Sequence, residues 1–124
     1  MSSKENSQEQ RRYKRHSTKS GAFALLKSGN LEILGSVKDI SSDGICLTHI
    51  DENREFNDSS SITVNLITEN IYYENFPSKN LWAIEEEGKF VAARVKMRRR
   101  GIQFTELTQE KQLQLDEFIK TTKK

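Results

Sequence analysis

The chain has 124 residues, with 20 Lys+Arg against 18 Asp+Glu and a hydrophobic share of 34%, which is enough for one domain around a single core. A lone cysteine, Cys46, excludes an internal disulfide, and no apolar run approaches the roughly eighteen residues of a membrane span. Residues 1–20 lack the apolar stretch of a signal peptide, so a reducing cytoplasm is the expected compartment.

In chain order, residues 1–10 are polar with nothing to bury and read as a disordered lead. Arg11, Arg12, Tyr13, Lys14 and Arg15 follow as a basic cluster. From Ala22 an apolar run, Ala22 to Leu26, meets a turn at Ser28-Gly29-Asn30. Leu31, Ile33, Gly35 and Val37 then resume on one parity, which predicts a β-hairpin. Asp39 to Gly44 breaks the pattern, and Ile45, Leu47 and His49 alternate as a further strand with Cys46 as a small core residue. Ile62, Val64 and Leu66 repeat the device.

Residues Glu69 to Gly88, scattered with aromatics around Pro77, read as a long loop followed by a short strand. Val91, Ala93, Val95 and Met97 share a parity over Phe90 to Met97, and Gly101 to Leu107 adds Ile102 and Phe104. Thr108 is an expected N-cap for a helix over about 108–120. Leu115, Phe118 and Ile119 share its core face and Leu113 falls outside it. The charge is segregated: +4 over residues 1–20, −1 over 21–50, −6 over 51–90 and +5 over 91–124. Basic ends around an acidic middle favour a localised anion site over a uniform electrostatic coat.

Two short motifs carry chemistry. Arg11 and Arg15 form R-x-x-x-R, with Arg12 between them, and Asp39, Ser41 and Gly44 form D-x-S-x-x-G. Guanidinium forks grip phosphate or the O6/N7 edge of guanine, and a carboxylate accepts from guanine N–H groups. Asp39 and Ser41, two apart in extended chain, are expected to point the same way, with Gly44 supplying a φ > 0 position at the strand entrance. The same hexapeptide also suits a β-turn in which Asp and Ser bond their own backbone.

His16 and Arg100 stand as secondary candidates. Arg98-Arg99-Arg100 reads as a charged hairpin end, and its functional reading is a second basic wall. Two histidines and one cysteine have no metal-ligand spacing, so no metal site is expected. No nucleophile elbow or placed base appears, so no enzyme activity is expected.

On these motifs the sequence resembles the PilZ domain family, receptors for the bacterial second messenger cyclic di-GMP. Arg11 and Arg15, then Asp39, Ser41 and Gly44, fall on the family's two motifs in order, and Gly101-Ile102-Gln103-Phe104 resembles its late G-x-x-F strand. The resemblance implies a mainly β fold: a six-stranded antiparallel barrel over about 21–107, a C-terminal helix over about 108–120, a flexible arm at 11–17 and a tail at 121–124.

It also implies a monomeric, cytoplasmic receptor or adaptor without a cofactor. Cyclic di-GMP would bind at Arg11, Arg12, Arg15, Asp39, Ser41 and Gly44, and the ordered arm would pass the signal to a protein effector. Many relatives carry an aromatic residue shortly before the G-x-x-F strand, where this chain has Met97; Trp82 stands too early in the chain to replace it. Two rival readings are a small barrel that binds RNA or single-stranded DNA through its basic ends, and a PilZ-like protein-interaction adaptor that binds no nucleotide. The acidic middle argues against nucleic acid.

Overall fold

A computed structural model describes residues 14–51, 61–86 and 96–124. The polar lead, Arg11 and Arg12, and the part of the strand expected over residues 90–95 lie outside the described residues. The described elements are β1 (His16–Ser17), β2 (Phe23–Ser28), β3 (Leu31–Ser41), β4 (Gly44–Ile50), β5 (Ile62–Ile67), β6 (Tyr72–Glu86), β7 (Met97–Phe104) and one helix, α1 (Gln109–Thr122). Six strands run in the order β3–β2–β5–β6–β7–β4, all neighbours antiparallel. β4 pairs back onto β3, closing the barrel. The short β1 adds to β3 where β2 has ended, pairing His16 with Ile40 and Ser17 with Asp39.

The β2–β3 hairpin forms as the alternation predicts. Ala24 and Leu26 are fully buried, Phe23 faces out, and Gly29 turns the chain at φ 59°, a conformation that costs a residue with Cβ. On β3 the inward set is Ile33, Val37 and Ile40. The step of three comes from a bulge between Val37 and Asp39 against β4. Had the strand stayed regular, Asp39 would have followed Val37 into the core; the bulge turns it outward.

The expected loop over Glu69 to Gly88 is instead most of the longest strand, β6, with 15 residues. Two irregularities let it bend around the barrel: one against β5 between Val64 and Leu66, the other against β7 between Asn80 and Trp82. At the first, Asn75 takes φ 65° and its N–H donates to the buried Asn65 side chain at 2.9 Å, so the bulged backbone keeps a partner. Ser78 marks the corner, pairing with Ile62 on one side and Phe104 on the other.

The helix opens as expected at Thr108, whose hydroxyl accepts from the Lys111 N–H at 3.1 Å. Leu115, Phe118 and Ile119 join Leu26, Ile40, Ile45, Phe76 and Ile102 in one core cluster, so the helix buries its apolar face against the barrel interior. Leu113 remains 62% exposed. No described helix is long and apolar enough to cross a membrane.

Candidate functional site

A single cross-strand row builds the site. Register places Ser17 beside Asp39, Asp39 beside Cys46, Cys46 beside Gly101 and Gly101 beside Trp82, running from β1 through β3, β4 and β7 to β6. These five residues line one pocket of about 440 Å³, with Arg15 at one end and Arg99 and Leu81 at the other. Such a volume is within the usual range for small-molecule sites.

The two sequence motifs meet here. Arg15 Nη1 lies 2.6 Å from Asp39 Oδ1 across 24 residues of sequence, an ion pair about one-third exposed on each side. The bulge on β3 and the short pairing of β1 bring them together. Cys46 forms part of the pocket wall between Asp39 and Gly101 and is buried. Burial, reinforced by the Asp39 carboxylate, raises its thiol pKa against the opposing pull of Arg99 and Arg15, so the group is a protonated thiol and a poor nucleophile.

Other expected residues are placed differently. Ser41 is wholly buried; its hydroxyl donates to the Asp43 carboxylate and accepts from the Asp43 N–H at 3.3 Å. It braces the two-residue turn between β3 and β4 and does not line the pocket beside Asp39. Gly44 is not among the residues at positive φ; its requirement is space, because a Cβ there would overlap the backbone carbonyl oxygen of Ile102 on β7. His16 faces a second groove, with Lys14.

Arg98-Arg99-Arg100 is not a hairpin end but lies within β7, where alternation separates its members. Arg99 lines the pocket, whereas Arg100 lies inside the barrel, 1% exposed. Its Nε donates to His49 Nε2 at 3.2 Å and its Nη1 to Asn80 Oδ1 at 3.0 Å. At the rim beside it, Arg98 pairs with Asp51 at 3.3 Å.

His49 Nδ1 lies 2.8 Å from the Ile50 carbonyl, which can only accept. That fixes the proton on Nδ1 and leaves Nε2 free to accept from Arg100. Burial, with the Arg100 and Arg98 charges, holds the His49 pKa below its ordinary 6.5 despite the Ile50 bond and Asp51. The unfolded chain therefore takes up a proton that the fold resists, and stability is lost as pH falls below about 6.5. Chemical denaturation is expected to show this as a slope of up to about 1.4 kcal/mol per pH unit, absent in His49→Gln. An identical slope in the variant would assign the acid sensitivity to other groups.

Of the arginine run read as a second basic wall, Arg99 alone lines the pocket, and Trp82 is a wall residue that sequence reasoning missed. Trp82 stands early in the chain, yet the β6–β7 pairing brings it beside Gly101, and its indole fills the space a Cβ at Gly101 would need. The glycine two before Gln103 was the available sign, but reading it required the register. Together the pocket offers two guanidinium groups, one carboxylate and an aromatic surface. It suits a flat, anionic ligand with N–H groups to donate.

The family model for the PilZ domain matches residues 9–121. Among solved structures, the chain is similar to the PilZ domain, with c-di-GMP, of YcgR from Escherichia coli. That match has 14% identity, covers 90% of this chain and 89% of that one, and gives a TM-score of 0.65. It is also similar to the MrkH–c-di-GMP complex of K. pneumonia, at 16% identity, 90% and 50% coverage and TM-score 0.71. A third match is the inhibitor of motility MotI/DgrA of Bacillus subtilis, at 16% identity, 90% and 50% coverage and TM-score 0.65. The chain thus spans about half the length of MrkH and of MotI. Comparison with curated protein sequences returns no match.

Proposed function

The chain belongs to the PilZ domain family, and from that premise we propose that it is a receptor for cyclic di-GMP. The observation that carries this reading is the meeting of Arg15 and Asp39, one from each motif, on the rim of a pocket walled by Trp82 and Arg99. Solved relatives whose structures are described with c-di-GMP, the YcgR domain and MrkH, add support.

In the proposed complex, Asp39 accepts from the N1 and N2 groups of a guanine. Arg15 turns from Asp39 to a phosphate or to the O6/N7 edge, and Arg99 balances charge from the opposite wall. Exchanging the Arg15–Asp39 pair for ligand contacts costs little, because a partly exposed pair contributes only about 0–1 kcal/mol. Trp82 offers its ring face to a base. Arg11 and Arg12 complete the clamp as residues Gln10 to Ser17 close over the ligand, and the reordered arm is the signal that reaches an effector. Binding and release require no bond to be made or broken.

Trp82 is the chain's one tryptophan, so its emission reports the pocket directly. Titration with cyclic di-GMP is expected to quench it saturably. Trp82→Ala is expected to weaken binding about tenfold by calorimetry, given the roughly 1–3 kcal/mol of a base–aromatic stack. Trp82→Phe should recover most of that loss. Unchanged emission at saturating nucleotide would place the base elsewhere. A single-stranded nucleic acid would instead meet the Asp39 carboxylate, and Asp39→Ala would strengthen its binding.

A further inference from the structure

The arm that carries Arg15 has a second side. Arg15 and Ser17 line the pocket, whereas Lys14 and His16 line a separate groove of about 490 Å³. Its opposite wall is the end of α1 and the residue beyond, with Lys120 and Lys123, and buried Ile119 supplies an apolar patch between the walls. Ser42, from the β3–β4 turn, adds a hydroxyl.

Charge in the groove is one-sided. Among the described residues, Lys14, Lys120 and Lys123 take part in no ion pair. The one carboxylate lining the groove, Asp116, accepts from Gln112 at 3.2 Å. The walls are also strapped together by backbone bonds. Lys19 N–H donates to the Thr122 carbonyl at 2.7 Å and Lys124 N–H to the Ser17 carbonyl at 2.9 Å, with Thr18 and Lys123 forming a β-bridge. These bonds hold the arm backbone at Ser17–Lys19 against the end of the helix, so the groove's two walls are already joined before a partner binds.

We propose that this groove docks an acidic peptide segment of a partner protein. Lysines act as point charges that accept carboxylates from several directions, whereas bidentate phosphate recognition favours arginine, absent from this lining. Ile119, 8% exposed, contributes only the edge of the core to the groove floor. A nucleic-acid strand would gain only about three phosphate contacts here, too few to hold it at physiological salt. None of these cations lines the other pocket, and the groove is read in the nucleotide-free chain.

Fluorescence anisotropy tests it on the full chain without nucleotide. The probe is a labelled peptide of about a dozen residues, half of them glutamate and the rest alternating leucine and serine. Saturable binding is expected, weakened about tenfold by Lys120→Glu combined with Lys123→Glu. Lys14→Glu, outside the helix, should weaken it several-fold, and Lys27→Glu, near the β2–β3 turn, should leave it unchanged. Absence of binding, or equal weakening by all the reversals, would overturn the assignment. So would tighter binding of a single-stranded RNA of equal charge or of phosphatidylserine vesicles, or peptide-independent dimers that the Lys120 and Lys123 reversals abolish.

Discussion

Arg15→Ala is expected to raise the dissociation constant for cyclic di-GMP about a hundredfold, an effect of roughly 3 kcal/mol. Two losses add. One charge-assisted fork disappears, at roughly 1.5–3 kcal/mol, and the Asp39 carboxylate is left facing an anionic ligand without the cation now 2.6 Å away. Arg15→Lys should fall between, keeping the charge but losing the planar fork. Because Arg15 is about one-third exposed on the rim, neither change should move the melting temperature by more than a degree or two, as expected for a surface ion pair. Calorimetric titration beside a thermal melt separates the two effects. A variant that binds as tightly as the parent would remove Arg15 from the site.

Gly44→Ala is expected to act on the fold, at a cost of about 2–4 kcal/mol in urea denaturation. The added methyl would overlap the Ile102 carbonyl oxygen, with Gln103 Cα 3.4 Å away. Both are backbone, held by the pairing of Gly44 with Gln103 and Ile45 with Ile102, so the strands must separate where the barrel closes. The conflict at Gly101 differs in kind: there the neighbour is the end of the Trp82 side chain, which can move. A Gly44→Ala protein of unchanged stability would show that β4 and β7 have room to part.

Much of the barrel was legible because strict alternation marks it. Ala24 and Leu26, then Ile62, Val64 and Leu66, keep a period of two and are buried as that period requires. Thr108 marked the helix because its side chain has one local task. β6 was illegible for the opposite reason. The irregularity between Asn80 and Trp82 resets its parity, so Phe76 and Ser78 face in while Trp82 and Ile84, on the same parity by number, stay exposed.

The site divides in the same way. Arg15 and Asp39 could be found from spacing, since each lies in a short local motif. Asp39 nevertheless faces the pocket only because of an unforeseen bulge. Ser41 was misplaced because the turn bonds it to Asp43, a competition local sequence leaves open. Trp82 and Arg99 depend on which strands are neighbours. Arg100 is buried because His49 and Asn80 come from two other strands to receive it. Long-range pairing creates those contacts, and composition alone makes an arginine run look solvated.

Isothermal titration of the full chain with cyclic di-GMP tests the central claim most directly. The account predicts saturable heat, with binding weakened about a hundredfold in Arg15→Ala and sharply in Asp39→Ala. No heat, together with no shift in melting temperature at saturating nucleotide, would contradict it.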